Sequence, residues 1–310
     1  MEQVNAEVLQ AFALAVGRGT SVPASPRSMV RMWSLVQRNL NSYLQSTTPG
    51  PEADGDSRLA RRVRLRTVYY RNVFNSDDAA EIVPGLLSIM DAVSERELGY
   101  RLSDLARAMF ALLNEVAERL DVHVDRQRAL RDQTGGPADG IIETMLEESA
   151  EARRMWRATQ GCSLPPEGRG WVGFQMTEML CAPLFTFTRI ELEARFGAPV
   201  SEALFMRSLG FGSIQEGDLD KVYLANPIWE RPFVALDDDT LFLPLPFLLV
   251  SFPFSIVEGL IAGNAKLEKA YGTARARYLE DDIERAVSRS LPTARVQRGV
   301  NWKDPDTREP

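Results

Sequence analysis

The chain has 310 residues, of which 45% are hydrophobic and 25% charged, so it can bury a sizeable core and is not a disordered segment. Its 43 acidic side chains outnumber the 36 lysines and arginines, which gives a formal net charge of −7. Proteins that depend mainly on phosphate contacts usually carry a basic excess. Any nucleic-acid surface is therefore expected to be a local patch, or to lie on something outside these 310 residues.

Cysteine content and hydropathy predict a soluble, cytoplasmic protein. The two cysteines, Cys162 and Cys181, are too few for a disulfide scaffold, and we expect both thiols to be buried and inert. The acidic start lacks the basic segment of a secretory signal. The longest apolar stretch, residues 241–262, is interrupted by three prolines and Glu258. We expect it to be a buried core segment and not a membrane span.

The first two thirds of the chain show the pattern of successive amphipathic helices. Apolar residues recur there at intervals of three and four, and stretches of glycine, proline and small polar residues separate the periodic segments. The Pro84-Gly85 pair weakens the expectation of one unbroken helix around it. The predicted helices cover residues 4–16, 26–44, 57–75, 78–93, 102–132, 139–160, 171–196 and 199–209.

A β-hairpin is predicted where the helical pattern ends. Residues 226–232 contain prolines that a regular helix cannot accommodate. Short apolar runs at 233–236 and 240–243 then flank Asp237-Asp238-Asp239, which is typical of two strands around a polar turn. Adjacent aspartates also suit a hard cation, but a calcium loop spaces its ligands over about twelve residues. A solvated turn is the preferred interpretation.

The remaining residues complete a mainly α-helical fold. An apolar helix over about 246–262 precedes a long charged helix over about 265–290, and residues 294–300 alternate as a half-exposed strand does. The predicted organisation is a multi-helix domain over 1–225, a connector of hairpin and apolar helix over 226–263, and a final helix and strand over 264–310.

One histidine and one arginine-rich run are candidates for function. His123, the sole histidine, lies between two aspartates, but no serine or cysteine motif surrounds it, and a surface histidine is the preferred interpretation. A compact enzyme with a site around Arg66, Tyr69 and His123 remains a further hypothesis.

The best nucleic-acid candidate combines arginines with a tyrosine. It comprises Arg58, Arg61, Arg62, Arg66 and Tyr69. Guanidinium groups bind phosphates in a bidentate manner, and a tyrosine ring can stack on a base. A run of arginines on one helical face is equally typical of an ordinary solvated helix, and the acidic net charge favours that interpretation.

The last predicted helix carries the most ordered pattern in the chain. Its apolar residues recur every four positions and form one stripe: Leu279, Ile283, Val287 and Leu291. Glu280 and Glu284 each follow a stripe residue and share one edge of the helix. From the pattern alone, such an acidic edge is a solvated surface.

This helix and the segment 294–302 resemble the start of the restriction-endonuclease-like PD-(D/E)XK nucleases. The upstream stretch 226–233, with its hairpin and apolar helix, is similar to a region found ahead of such cores in long bacterial proteins. The resemblance covers about residues 226–310. In that family an acidic residue of the first core helix helps to hold a divalent cation. The first core strand follows, then a strand that brings an aspartate, then the (D/E)XK strand.

The resemblance implies that the intact protein hydrolyses DNA or RNA with Mg²⁺. It places Glu284, or else Glu280, at the catalytic and metal-binding position. Cleavage requires several carboxylates around the ion, and no residue up to Pro310 matches the aspartate or the (D/E)XK positions. We therefore expect these 310 residues to be inactive, to hold no cofactor alone, and to regulate a nuclease or position its partner or substrate. The alternative is a non-enzymatic helical scaffold or protein-interaction module that binds another protein or a second copy.

Overall fold

The computed structural model describes residues 2–17, 26–45, 75–134 and 181–293, together with the separate residues 59, 62, 63, 65 and 66. Within these residues the fold is mainly helical, with 73% in helix and 4% in strand, which confirms the predicted fold class. The predicted helix at 139–160 and the predicted strand at 294–300 lie outside the described residues, as does most of the predicted helix at 57–75. None of the described helices is long and apolar enough to cross a membrane.

The helices of the N-terminal half begin and end near their predicted bounds, with one exception. They are α1 (Glu2–Ala15), α2 (Pro26–Gln45), α3 (Ser76–Ser88), α4 (Asp91–Leu98) and α5 (Leu102–Thr134). The single helix predicted over 78–93 is wrong, because α3 ends at Ser88 and α4 begins at Asp91. The Asp91 carboxylate accepts the backbone N–H and the hydroxyl of Ser103 at 3.1 and 2.6 Å, which fixes the start of α4 against α5.

The helix predicted over 171–196 is wrong in its described part. Residues 182–184 form a 3₁₀ turn, β1 spans Thr186–Thr188, and α6 begins only at Arg189 and ends at Phe196. The Thr188 side chain accepts the backbone N–H of Glu191, and the Glu191 carboxylate accepts the backbone N–H of Thr188. This capping box sets the first residue of α6. Two short helices follow, α7 (Ala198–Met206) and α8 (Glu216–Leu219).

The predicted β-hairpin is confirmed. Strands β2 (Val234–Ala235) and β3 (Thr240–Phe242) pair antiparallel, and in the turn the backbone N–H of Asp239 donates to the Asp237 carboxylate at 3.0 Å. Strand β1 pairs antiparallel with the other edge of β3, so the strand order is β1-β3-β2. The central strand thereby joins the hairpin to α6.

The apolar helix predicted over 246–262 is two helices in the structure. They are α9 (Leu248–Ser251) and α10 (Pro253–Ile261). Phe252 lies between them with φ −132° and ψ 41°. A proline disfavours helical geometry in the residue before it and offers no N–H for a helical hydrogen bond, so Pro253 ends one helix and starts the next.

The long charged helix α11 (Ala265–Ser290) has the predicted bounds. The Asn264 side chain caps it by accepting the backbone N–H groups of Lys266 and Leu267 at 3.1 and 3.2 Å. The Lys266 ammonium donates to both carboxylate oxygens of Glu97 on α4, at 2.9 and 3.0 Å. This hydrogen bond lowers the pKa of Glu97 and attaches the start of α11 to α4.

Most of the buried side chains belong to one core cluster in which α5 packs against α3. It also contains Phe187 of β1, Leu241 of β3, Ile256 of α10 and Leu267 of α11. Core residues thus come from both sides of residue 225, the predicted boundary of the first domain. A second cluster joins α1 to residues 209–248, including Ile228 and Trp229.

A buried hydrogen-bond network fixes α1 in the second cluster. Glu7 is only 1% exposed, and its carboxylate accepts the indole N–H of Trp229 at 2.8 Å and the amide of Gln3 at 3.1 Å. The Gln3 amide also donates to the Ser251 hydroxyl at 3.2 Å, and the Trp229 ring stacks on Phe252 with centroids 4.6 Å apart. A buried carboxylate is tolerated only with such donors. The network therefore links the first helix to residues far along the chain.

Replacement of Glu7 tests this link. We expect Glu7→Ala to lower the free energy of unfolding by about 2–4 kcal/mol, because it removes a buried acceptor from the Trp229 indole. Glu7→Gln keeps one acceptor oxygen and should cost about half as much. Urea unfolding followed by tryptophan fluorescence measures both. The control is Glu81→Ala on α3, an exposed position. Equal stability losses for Glu7→Ala and Glu81→Ala would contradict the role given to Glu7.

Candidate functional site

The two glutamates predicted for metal binding lie in the second half of α11. Glu280 is exposed and Glu284 half-buried. Their helix also carries Asp281 and Asp282, and Arg285 donates to Asp282 at 3.2 Å. Across the described parts of the chain, no three or more histidine, cysteine, aspartate or glutamate side chains are grouped to hold a metal ion. The catalytic and metal-binding role of Glu284 and Glu280 stays a prediction.

Helix α11 has an apolar inner face that packs on the body of the protein. Leu267, Tyr271 and Ala274 are buried, and Tyr278 is half-buried. The Tyr278 ring lies against α3, since a Cβ atom added at Gly85 would be 3.3 Å from that ring. Burial raises the pKa of the Tyr278 phenol, and the Asp282 carboxylate adds to the shift. Tyr278 is the last apolar residue of this face.

The same helix presents a second apolar face to solvent. We call Leu279, Ile283, Val287 and Leu291 the outer stripe. Leu279, Ile283 and Leu291 are 56%, 59% and 58% exposed, and Val287 is half-buried. At 3.6 residues per turn, Ile283 lies about 160° around the helix from the buried Leu267. The outer stripe is therefore nearly opposite the inner face and outside the core.

The described arginines of the predicted nucleic-acid candidate lie on helical backbone. We call Leu59, Arg62, Val63, Leu65 and Arg66 the arginine segment. Arg62 and Arg66 are exposed and one helical turn apart, and Leu59 and Val63 are exposed beside them. Arg58, Arg61 and Tyr69 lie outside the described residues. Phosphate or base binding by this group stays a prediction.

A charged cleft of about 720 Å³ lies between α5 and the segment around α6, and the sequence did not predict it. Asn114, Glu115, Glu118, Arg119 and Arg195 supply its polar lining. The signals visible in the sequence were the i,i+4 spacing of Glu115 and Arg119 and the capping pattern of Thr188 and Glu191. Neither signal shows that α5 and α6 meet.

Arg119 holds this wall of the cleft together. Its guanidinium donates to the backbone carbonyls of Pro183 and Thr186 at 3.1 and 2.9 Å, and to the carboxylates of Glu115 and Glu191 at 2.5 and 3.1 Å. It also lies over the buried Phe187 ring, 4.7 Å from the centroid. One planar cation thus joins α5, the 3₁₀ turn, β1 and α6.

The cleft's two cations are both engaged by carboxylates. Arg195 donates to Glu115, the carboxylate that Arg119 also binds, and lies over the Phe196 ring at 4.9 Å. An incoming anion would have to displace one of these carboxylates. The arrangement is suited to holding α5 and α6 in place, and it leaves the outer stripe and its acidic edge as the candidate functional surface.

Two further candidates from the sequence, His123 and Cys181, are both half-buried. His123 is half-buried on α5, and no described serine or cysteine motif accompanies it. Cys181 is half-buried and not buried as expected, and Cys162 lies outside the described residues. The hypothesis of a site around Arg66, Tyr69 and His123 stays untested, because Tyr69 is also outside them.

Comparison with protein-family models, with curated proteins and with solved structures finds no match to this chain.

Replacement of Arg119 tests its structural role. We expect Arg119→Met to lower the free energy of unfolding by about 3 kcal/mol, because two carbonyls and two carboxylates lose a shared donor. Arg119→Lys should recover less than half of the loss, since a point charge cannot reach all four acceptors. The measurement is equilibrium unfolding in urea. Arg128→Ala, on the exposed part of the same helix, should change stability by less than about 0.5 kcal/mol. Similar effects at Arg119 and Arg128 would rule out this role.

Proposed function

We propose that this chain is a partner- or substrate-positioning region of a metal-dependent nuclease, and that the outer stripe is where it joins the unit it serves. The observation that supports this is the exposure of Leu279, Ile283 and Leu291 on the face of α11 that points away from the core. In the resembling nucleases, the corresponding helix belongs to the catalytic core. A helix that enters a second folded unit needs a second apolar face of this kind.

The free energy available to such docking is considerable. Burial of a leucine or isoleucine side chain contributes about 1.5–3 kcal/mol relative to full exposure. The three most exposed residues of the outer stripe already lose part of their surface to the helix itself, so about half of that value remains for each. A partner that covers the stripe gains several kcal/mol.

In the proposed nuclease, the glutamates of the acidic edge serve as metal ligands. Glu284, or else Glu280, would contribute one carboxylate to a Mg²⁺ site, and Mg²⁺ would supply charge neutralisation at the scissile phosphate. A hard cation takes oxygen ligands, which suits these side chains. Other ligands would have to come from elsewhere, since no metal-binding group occurs among the described residues.

The second candidate function is a protein-interaction module without catalysis. The observation that favours it is the arginine segment, because its exposed apolar residues and basic edge match the outer stripe and its acidic edge in spacing. In that case Glu280 and Glu284 select a basic partner and do not bind an ion. Both candidates use the same surface and differ in what the acids do.

Docking through the outer stripe predicts a specific response to polar substitution. The double change Leu279→Ser and Ile283→Ser should reduce the fluorescence of a bound apolar dye, anilinonaphthalene sulfonate, because it removes two exposed apolar side chains. The melting temperature should change by less than about 2 °C, since neither side chain lies in the core. Met206→Ser is the matched control, because Met206 is 61% exposed on α7. An unchanged dye signal in the double variant, or the same decrease in the control, would count against the stripe.

Because we expect no complete catalytic site in these residues, we predict that the chain does not cleave nucleic acid. Purified chain with Mg²⁺ or Mn²⁺ should not degrade plasmid DNA, linear DNA or RNA, because hydrolysis needs several carboxylates around the ion. A gel assay over several hours measures this. Robust cleavage that Glu284→Gln abolishes would show that a complete site lies within these residues. Cleavage that persists in Glu284→Gln would point to a contaminating nuclease.

A further inference from the structure

One long segment of this acidic chain contains no carboxylate side chain. Residues 8–51 include four arginines and neither aspartate nor glutamate, although the whole chain has 43 acidic side chains and a formal net charge of −7. The structure describes residues 8–17 and 26–45 of this segment. Among the described helices of eight or more residues, α2 is the one without an acidic side chain. The local basic patch that the overall composition left open is therefore found on α2.

The packing of α2 on α1 determines which side of α2 is exposed to solvent. Leu40 is fully buried and packs on Val4 near the start of α1. At 3.6 residues per turn, Arg31 and Arg38 lie about 180° and 160° around the helix from Leu40. All the polar side chains on this outer side are exposed. We call five of them the α2 face: Arg31, Gln37, Arg38, Asn41 and Ser42.

Carboxylates do not neutralise the arginines of the α2 face. Among the described residues, Arg31 has no hydrogen-bond or ion-pair partner, and Arg38 donates to the backbone carbonyl of Ser34 at 3.4 Å. By comparison, the exposed Arg107 and Arg128 of α5 each pair with a carboxylate of their own helix. The other members of the α2 face carry amide or hydroxyl groups, which also donate to phosphate oxygens. The face thus offers charged and neutral donors without a negative charge among them.

We infer that the α2 face binds double-stranded DNA through its phosphates. A guanidinium group can donate two parallel hydrogen bonds to one phosphate. Arg31 and Arg38 are seven residues apart, so their backbone positions are separated by about 10.5 Å along the helix axis. This separation is close to the major-groove width of B-DNA, about 12 Å, so the two side chains can reach phosphates on both sides of the groove. The inference rests on the substrate-positioning role proposed above and adds the substrate class and the surface that holds it.

The α2 face is better suited to a duplex than to other nucleic acids. Single strands are held largely by aromatic rings on which their bases stack. The aromatic residues of α2, Trp33 and Tyr43, are half-buried and do not belong to the α2 face. In A-form RNA the major groove is too deep and narrow for side chains to read. A B-form duplex is therefore the expected occupant.

Charge favours DNA over a protein or a lipid surface. Met32 and Leu35 border the α2 face and are 43% and 44% exposed. A protein or a membrane would bury these apolar side chains as well as contact the arginines. DNA carries one negative charge per about 1.7 Å of helix axis, so every carboxylate on a surface that follows it is unfavourable. The absence of acids throughout residues 8–51 matches that requirement.

Salt-dependent DNA binding tests the inference. The probe is a fluorescein-labelled duplex of random sequence, about 20 base pairs long, titrated with the full chain in EDTA at about 30 to 200 mM KCl. We expect a dissociation constant on the order of 10 μM at the lowest salt. Arg31→Gln with Arg38→Gln should weaken binding about tenfold or more. The same change should reduce the slope of log affinity against log salt by about 1.8, since each lost phosphate contact contributes about 0.9.

Three control variants show whether the α2 face itself is responsible. Arg107→Gln with Arg128→Gln removes the same charge from α5 and should change the affinity by less than about twofold. Arg31→Lys with Arg38→Lys keeps the charge and should keep the salt slope. Met32→Ser with Leu35→Ser should leave DNA binding within about twofold, because phosphates do not need apolar contacts. Equal loss in the α5 variant, or loss of DNA binding in the Met32 and Leu35 variant, overturns the inference.

The partner class is tested by competition with other anionic polymers. Single-stranded RNA and polyglutamate, added at the same concentration of charge, should displace the duplex less effectively than unlabelled duplex does. Displacement by either one as effective as by the duplex would overturn the assignment to double-stranded DNA.

The wild-type result separates failure of this inference from failure of the proposed function. If the wild-type chain binds the duplex and Arg31→Gln with Arg38→Gln binds it equally well, the α2 face is not the DNA surface, while substrate positioning stands. If the wild-type chain does not bind the duplex, the inference fails together with substrate positioning. The partner-positioning role of the outer stripe is then decided by the dye experiment above.

Discussion

A helix can turn only one face toward the core on which it packs, and α11 has two apolar faces. Its first half is fixed by Leu267, Tyr271 and Ala274, by the Asn264 cap and by the ion pair of Lys266 with Glu97. That attachment determines the direction in which the second half of the helix points. Once the inner face is used, the outer stripe cannot reach the same core. The candidate function of the chain follows from this geometric constraint.

The body that supports α11 is held by two polar connections of long range. Arg119 joins α5 to the segment around α6, and the Glu7 carboxylate joins α1 to Trp229. Both are charged groups surrounded by donors or acceptors and by aromatic rings, a setting in which loss of one partner is costly. Glu7 is buried, and the Arg119 side chain is 26% exposed at the wall of the charged cleft. Their role is to fix elements that are distant in sequence.

Periodicity predicted the helical elements well, because amphipathic helices are local and their pattern is a property of consecutive residues. The bounds of α11 and the existence of the hairpin around Asp237-Asp238-Asp239 are examples. Strand β1 was missed because three residues cannot show an alternation, and their pairing partner β3 lies more than fifty positions later. The break at Phe252 was missed although Pro253 signals it, because the apolar run continues on both sides. The charged cleft was not predicted either, because the residues that line it, on α5 and around α6, are far apart in the sequence.

The acidic edge was predicted from the sequence, but the exposure of the stripe beside it was not. A stripe at four-residue intervals normally predicts burial. The burial of Leu267, Tyr271 and Ala274 and the contact of Tyr278 with Gly85 show which face of α11 is inside. The resemblance to nucleases pointed to the same helix and supplied a reason for its acids. Whether Glu284 meets an ion or a basic helix depends on what covers the outer stripe.

Oxidative footprinting of α11 tests the central claim most directly. Hydroxyl radicals should label Leu279 and Ile283 in dilute protein about as strongly as Ile190, which is exposed on α6, while the buried Leu267 stays unlabelled. Protection of Leu279 and Ile283 to the level of Leu267 would contradict this account.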